Sequence, residues 1–225
     1  MRRTLLSAFA AAVLPVLVSA DTVLCTATDI TVQARDLAHA RLTCDAVERA
    51  LIQFESCNIP PLQGPLHIEI VDRLEAGCVG QYHCGKGSIK VLEPSVMGEM
   101  HAPESPFAFL PNEAYFQSIV VHELTHAAID DLPCPFDTCL VAQEYLAYTM
   151  QVMSLSPDFQ AAYSAKAGMD THISRDELSI AILFMAPQIF ARKAWGHLSQ
   201  REDPCAFLGQ IVDGTVLLDR ERFDF

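Results

Sequence analysis

The sequence predicts an α+β domain in which a small mixed sheet precedes a helical half. Short segments with β-branched residues and alternating polar and apolar positions fall within the first 92 residues. From residue 113 onward, apolar residues recur every three or four positions, which is the period of an amphipathic helix. The chain is 51% hydrophobic and 19% charged over 225 residues, enough to bury one core. Strands and helices that segregate along the chain in this way are typical of the α+β class.

The first half contains the predicted strands and one helix. Strands are predicted at residues 22–25, 30–34, 66–71 and 88–92. Residues 36–57 have helical periodicity, and the helix is expected to end before Pro60. Within such a helix, Cys44 and Cys57 would lie roughly 20 Å apart and could not form a disulfide with each other. The Gly- and Cys-rich segment 77–87 is predicted to be a loop.

The second half is predicted to be mostly helical. A proline-rich loop over residues 94–111 leads to Asn112, a favourable N-cap for a helix over residues 113–132. Further helices are expected at 138–155, from Ser156-Pro157 onward, and as one long apolar helix over 176–197. No linker or internal repeat divides the chain, so residues 21–225 are predicted to form a single domain.

The first twenty residues have the features of a secretory signal. Arg2 and Arg3 precede an apolar stretch at residues 5–18, and Val18-Ser19-Ala20 offers a cleavage site after Ala20. An uncleaved anchor is less favoured, because the apolar run is shorter than the ~20 residues that a membrane span needs. The protein is therefore expected to be secreted or periplasmic, with no membrane attachment after cleavage.

The cysteine count agrees with an oxidising compartment. All eight cysteines follow residue 20, and an even number behind a signal suggests disulfides. Absence of any Cys-x-x-Cys spacing argues against a cysteine zinc cluster. Cys78–Cys84 and Cys134–Cys139 are predicted as local bridges, and the pairing of the others is left open.

The net charge of −13, with no basic cluster, argues against a nucleic-acid partner, which would need Lys and Arg to neutralise phosphates.

The run His-Glu-Leu-Thr-His at residues 122–126 indicates a metal-binding, catalytic site. His122 and His126 lie one helical turn apart on the same face and can bind one Zn²⁺ at about 2.0–2.1 Å each. Glu123 is rotated by about 100° and lies beside the metal, where a general base could take a proton from metal-activated water. The alternative is a surface helix that carries these residues by chance. Apolar neighbours on both sides argue against it, because buried His and Glu need a partner.

Two histidines leave the metal under-coordinated, so a third protein ligand is required. The downstream residues that could supply it are Asp130, Asp131, Asp137, Glu144, His172 and His197.

This motif resembles the signature of the zincin metallopeptidases. The run Glu-Tyr-Leu-Ala-Tyr at residues 144–148 is similar to the ligand helix of gluzincins, the thermolysin-like branch. Several gluzincins have Glu-Gly-x-Ala followed by an aromatic residue there, and Tyr145 takes the place of that glycine. The metzincin branch fits poorly, because Ile129 occupies the position of its required glycine. The resemblance covers about residues 113–153.

The gluzincin resemblance implies a zincin-like fold in which Glu144, on the second ligand helix, is the third zinc ligand. It also implies that residues 88–92 form the edge strand that receives an extended peptide. Gluzincins place an aspartate four residues after the ligand glutamate to orient a histidine, and here Tyr148 occupies that position. Asp130 or Asp131 would have to replace it, or the site would be weaker. Tyr148 and His197 are the candidates for stabilising the oxyanion.

Two functions follow as hypotheses. The first is a secreted zinc peptidase or amide hydrolase in which Glu123 is the general base, Tyr148 assists, and the partner is a peptide or protein substrate. The second is a secreted, zinc-stabilised, disulfide-bonded binding module without turnover. The sequence favours the first, because a purely structural zinc site has no use for Glu123 and usually has four protein ligands.

Overall fold

The computed structural model describes residues 21–220 except 27, 76, 101–104 and 168–171. The predicted signal, residues 1–20, lies outside the described residues. The predicted α+β class is confirmed, because a mixed sheet occupies the first half of the chain and helices dominate the second.

Within the residues described above, the sheet has five strands in the order β1-β2-β3-β5-β4. The three central strands β2, β3 and β5 run parallel, and the outer strands β1 and β4 run antiparallel to their neighbours. Alternate residues of β2 and β3 are buried, so one face of the sheet packs against the helices. The strands are β1 Asp21–Leu24, β2 Ile30–Ala34, β3 Leu66–Val71, β4 Gly80–His83 and β5 Ser88–Leu92.

Strand β4 corrects two predictions. It lies within residues 77–87, which the sequence predicts to be a loop, and it pairs with β5. The strand over residues 88–92 is expected at the sheet edge, but β5 is flanked by β3 and β4. Gly-Gln-Tyr-His has neither β-branched residues nor an apolar alternation, so only its pairing with β5 identifies it as a strand. β4 is therefore the edge strand beside β5, and β1 forms the opposite edge.

Helices α1, α2 and α4 pack against α3, and α1 and α3 also contact the sheet. Asp36 caps α1 by accepting a hydrogen bond from the backbone N–H of Ala38. Asn112 does not cap α3 as expected but lies in its first turn, and α3 ends four residues earlier than predicted. α3 contacts α1, α2 and α4 together with β4 and β5. These helices are α1 Leu37–Ser56, α2 Pro94–Met100, α3 Asn112–Ala128 and α4 Leu140–Met153.

The predicted long helix over residues 176–197 is broken. A 3₁₀ turn at Arg175–Glu177 precedes two separate helices, which meet at Ala186. Pro187 cannot supply a backbone N–H and disfavours a helical conformation at Ala186, whose φ is −152° and ψ is 67°. The helices of this region are α5 Pro157–Ala167, α6 Ile180–Met185, α7 Pro187–Ser199 and α8 Pro204–Val212, the last of which the sequence did not predict.

Across the described ranges of the chain, no helix is both long and apolar enough to cross a membrane.

The described part of the chain contains three disulfides, of which one is local and two connect separate elements. Cys25 bonds to Cys44, Cys57 to Cys205, and Cys134 to Cys139, the last as predicted. The first two also agree with the expectation that Cys44 and Cys57 do not pair with each other.

The predicted Cys78–Cys84 bridge is wrong. Both cysteines are free, and strand β4 runs between them. A strand rises about 3.3 Å per residue, so the extended chain from residue 79 to 83 alone spans about 13 Å. Disulfides need Cα atoms within about 7 Å, so these two thiols cannot be joined without breaking the strand.

We therefore expect two reactive thiols in the purified protein. Alkylation of denatured, unreduced protein should label Cys78 and Cys84, because the other six cysteines described by the structure are paired. Peptide mapping by mass spectrometry identifies the labelled positions. A disulfide-linked peptide pair containing Cys78 and Cys84 would contradict the observed path of β4.

Candidate metal centre

Helix α3 is buried along most of its length, which explains why its polar residues face the interior. Apolar residues such as Val120 and Leu124 fix its orientation between the sheet and α4. His122 and Glu123 are consequently buried, at 8% and 7% exposure. Ionisable side chains are rarely buried without compensation, so this segment needs a partner of opposite charge or hydrogen-bonding capacity.

The structure brings three of the predicted residues together. The Nε2 atoms of His122 and His126 are 3.2 Å apart. Glu144, on the adjacent helix α4, places its carboxylate oxygens 3.7 Å from His122 Nε2 and 3.5 Å from His126 Nε2. Among the described residues, these are the His, Cys, Asp or Glu side chains whose ligand atoms cluster closely enough to hold a metal ion.

The distances fit a single tetrahedral ion. Two donor atoms that each lie 2.0–2.1 Å from one zinc are about 3.4 Å apart at the tetrahedral angle. The two imidazole nitrogens are 3.2 Å apart, and the nearest Glu144 oxygens, Oε2 for His122 and Oε1 for His126, lie 3.7 and 3.5 Å from them, all close to that value. Two imidazoles and a carboxylate form a donor set typical of catalytic zinc sites, and three protein ligands leave the fourth position open. The residues present therefore fit zinc.

A chain of hydrogen bonds orients His122. The hydroxyl of Ser118 donates to the backbone carbonyl of Tyr115 and accepts from the side-chain amide nitrogen of Gln151. The amide oxygen of Gln151 therefore faces His122 Nδ1, at 3.1 Å, and must accept a hydrogen bond from a protonated Nδ1. With its proton on Nδ1, neutral His122 has a free lone pair on Nε2, which is the form that binds a metal.

Neither aspartate that the sequence suggests for orienting a ligand histidine is seen in that role. Asp130 accepts hydrogen bonds from the hydroxyl of Tyr82 and the backbone N–H of Gly85. Asp131 is exposed and lines a separate cavity of about 250 Å³. Both lie beyond the end of α3, whereas Gln151 follows Glu144 by two turns of α4 and shares its face. Gln151 is the partner that sequence reasoning missed, although its helical spacing from Glu144 could have indicated it.

Burial shifts the ionisation of the whole cluster towards neutral forms. Burial lowers the pKa of His126 to about 4 and that of His122 well below its usual range, with the neighbouring His126 also contributing. Burial raises the pKa of Glu144 to about 7. Burial and then the Glu144 carboxylate raise the pKa of Glu123 to about 8. A bound cation would reverse this preference for both carboxylates.

Glu123 lies between the histidines and the edge strand. Its Oε2 accepts a hydrogen bond of 2.8 Å from the backbone N–H of Tyr82 in β4. A Cβ atom placed on Gly80 would stand only 2.5 Å from Oε1, so the absence of a side chain there makes room for the carboxylate. Tyr82 and Gly80 lie in a segment that no sequence motif connects with the site.

Tyr148 also lies at the site. Its ring packs edge-on against His122 with 4.7 Å between centroids. Together with Tyr115 it lines a cleft of about 620 Å³ that runs between β4 and the helices α4 and α7 and includes His122, His126 and Glu144. Burial, followed by the nearby Glu144 carboxylate, raises the pKa of the Tyr148 hydroxyl, so the group remains protonated near neutral pH.

His197 is not at the site, contrary to its candidacy as an oxyanion stabiliser. It is buried between α4 and α7, where its Nδ1 is 2.9 Å from the hydroxyl of Tyr145 and its Nε2 contacts Arg201. Two further candidates for the third ligand are also distant from the histidine pair. His172 is exposed, and Asp137 lines a different cavity of about 710 Å³.

The hydrogen-bond chain through Gln151 predicts its effect on metal binding. Gln151→Leu should lower zinc affinity by about 10–100-fold, because His122 would lose the acceptor that fixes its proton on Nδ1. Gln151→Glu, which keeps an acceptor, should retain most of the affinity. Competition against a fluorescent chelator measures both, with Gln143→Ala in the same cleft as the control. Equal affinities for Gln151→Leu and wild type would contradict this role.

The pKa of Glu144 predicts how zinc affinity depends on pH. Below about pH 7 the Glu144 carboxyl is protonated and must lose that proton to bind zinc, whereas His126 stays neutral down to about pH 4. The Glu123→Gln variant isolates this effect, because it removes the second buried carboxyl. As the pH is lowered from 6.5 to 5, its zinc affinity should fall by about tenfold for each pH unit. Titrations at several pH values measure the slope. A fall of a hundredfold per unit would mean that the histidines also titrate there.

Comparison with known proteins identifies one family. The profile of a family of unknown function, DUF6639, matches residues 30–221 and so includes the sheet from β2 onward and all of the helices described above. Neither a curated protein nor a solved structure matches the chain. Because the match covers most of its length, the chain belongs to the DUF6639 family of unknown function.

Proposed function

We propose that this protein is a secreted zinc hydrolase of peptide or amide bonds, related in the design of its site to the gluzincins. The observation that carries the proposal is the position of Glu123. It is buried directly beside the His122, His126 and Glu144 cluster and borders an open cleft. A zinc site that serves only stability has no need of an additional buried carboxylate and rarely leaves a coordination position open.

His122, His126 and Glu144 would hold the metal. When bound, zinc supplies a positive charge that polarises a substrate carbonyl and acidifies water at the open position. The two imidazoles are available for this without losing a proton, because burial keeps them neutral. Gln151 keeps the Nε2 lone pair of His122 directed towards the ion.

Glu123 would act as the general base. A buried carboxylate is more basic than an exposed one, so it can accept a proton from the attacking water and return it to the nitrogen of the leaving amine. Its Oε2 atom accepts a hydrogen bond from the backbone N–H of Tyr82, so Oε1 is the oxygen that would accept and release that proton.

Tyr148 would stabilise the charge that develops on the carbonyl oxygen. It packs against His122, and its hydroxyl remains protonated, so it can donate a hydrogen bond in the transition state. This contribution is expected to be smaller than that of Glu123, because a bound metal would also stabilise the charge on that oxygen.

The cleft and the disulfides support the remaining parts of the proposal. A cleft of about 620 Å³, bordered by the edge strand β4, has room for a segment of extended peptide. Three disulfides are compatible with the oxidising compartment to which the predicted signal would direct the chain.

Glu123→Gln provides the main test. The amide has the shape of the carboxylate but cannot accept a proton, so zinc content should be preserved while turnover falls by about three or more orders of magnitude. Metal content by atomic absorption and hydrolysis of a quenched-fluorescent peptide library measure the two effects. If zinc-loaded wild type hydrolyses no member of the library, the binding-module hypothesis is favoured instead.

Tyr148→Phe tests the oxyanion role. Loss of the hydroxyl should lower kcat by about 10–1,000-fold with little change in KM or zinc content, because the bond forms only in the transition state. Tyr163→Phe is the matched control, since it removes a buried tyrosine hydroxyl that has no hydrogen-bond partner among the described residues and lies outside the cleft. Equal kcat values for the two variants would exclude Tyr148 from the reaction.

A further inference from the structure

The backbone of β4 presents alternate residues to the metal centre. The N–H of Leu92 donates to the carbonyl of Val79, which places Val79 in a hydrogen-bonded pair with the neighbouring strand. In an antiparallel ladder such pairs alternate with pairs whose backbone groups point away. Gly80 and Tyr82 are therefore the residues of β4 whose N–H and C=O groups point outward from the sheet, towards α3.

One of these outward groups is bonded to the proposed general base. The N–H of Tyr82 donates to Oε2 of Glu123 at 2.8 Å. Edge strands normally leave such groups to water or to an added strand, so a bond to a buried carboxylate needs a specific explanation. Glu123 is 7% exposed, and this bond fixes one oxygen of its carboxylate against the strand.

Gly80 shapes the space around the same carboxylate. A Cβ at this position would stand 2.5 Å from Oε1 of Glu123 and 2.8 Å from its Cγ. Gly80 does not have the positive φ that would require glycine for conformational reasons. Its lack of a side chain is therefore explained by the space that Glu123 occupies, together with the Ile119 side chain, whose Cγ2 would lie 2.8 Å from the added Cβ.

The side chain of Tyr82 fixes the strand in this position. Its hydroxyl donates a hydrogen bond of 2.9 Å to Oδ2 of Asp130. This Oδ2 atom also accepts a hydrogen bond from the backbone N–H of Gly85, in the turn after β4. Asp130 lies just beyond the C-terminal end of α3, and Glu123 lies within that helix. Tyr82 is thus bonded to one residue within α3 and to one just beyond its end.

We propose that Tyr82 and Gly80 are positioning residues for Glu123. The backbone N–H of Tyr82 holds the carboxylate in its working orientation, and the bare Cα of Gly80 leaves room for it. The proposal rests on the proposed function for its catalytic meaning, but the contact itself can be tested without activity.

Amide hydrogen exchange of zinc-free protein, followed by NMR, tests the contact. In Glu123→Ala the amide of Tyr82 should exchange at least about tenfold faster than in wild type, because its acceptor is gone. The amide of Gln81, which pairs within the sheet, should be unchanged. His126→Ala is the control, since it opens the same site but keeps Glu123. Unchanged exchange at Tyr82 in Glu123→Ala would overturn the proposal.

A pair of substitutions at residue 82 tests the role in catalysis. Tyr82→Ala and Tyr82→Pro both remove the phenol, but only proline removes the N–H. Proline is tolerated at an edge strand where the N–H points outward, so no sheet bond is lost. We expect kcat to be at least about tenfold lower for Tyr82→Pro than for Tyr82→Ala, with equal KM and zinc content. Equal kcat values in the two zinc-loaded variants would overturn the proposal.

Gly80→Ala provides an independent test if Tyr82→Pro does not fold. The added methyl group should displace the Glu123 carboxylate and lower kcat by at least about tenfold while zinc content and KM are retained. Gly209→Ala, in α8 and far from the cleft, is the control for adding a methyl group to a well-packed glycine. Wild-type kcat in Gly80→Ala would contradict the proposal. If wild type hydrolyses nothing, the proposed function fails, and the exchange measurement still decides whether Tyr82 holds Glu123.

Discussion

The burial of ionisable side chains between α3 and α4 is the constraint on which the rest of the site depends. Two imidazoles and two carboxylates come together where burial disfavours every charged form. Such a group could be replaced by apolar residues with little loss of stability, so its presence indicates a task other than folding. A divalent cation would compensate both carboxylates at once and would be faced by neutral histidines.

Contacts from other parts of the fold hold α3 and α4 in fixed positions relative to each other. α4 begins at a cap supplied by the far end of the chain, where both oxygens of Asp219 accept backbone N–H groups, from Val141 and Ala142. α3 is fixed on its other side by the sheet, through Tyr82 to Glu123 and Asp130. The ligand helices are therefore held by the edge of the sheet and by the C-terminal segment, which are distant from each other in sequence.

Much of the fold could be predicted because local periodicity was strong. The bounds of β2, β3 and β5 agree with prediction. The bounds of α1 differ from prediction by only one residue at each end, because a regular hydrophobic pattern and the capping Asp36 both indicate the helix. Prediction failed where pairing or proline decided the outcome. β4 exists through its ladder with β5, and Pro187 divides a helix whose apolar pattern is continuous. Of the candidate ligand set, His122 and His126 were predicted from a helical motif and Glu144 from the resemblance to gluzincins. Tyr82 and Gly80 depend on the path of a strand that has no sequence signal.

X-ray absorption spectroscopy at the zinc edge of the purified, zinc-loaded protein tests the central claim most directly. We expect one zinc per chain in a four-coordinate shell of nitrogen and oxygen atoms at about 2.0–2.1 Å, with the multiple-scattering signature of two imidazoles and no sulfur. A sulfur contribution at about 2.3 Å would place the metal at the free thiols of Cys78 or Cys84 instead. That result, or failure to bind zinc at all, would contradict the assignment of His122, His126 and Glu144 as a zinc site.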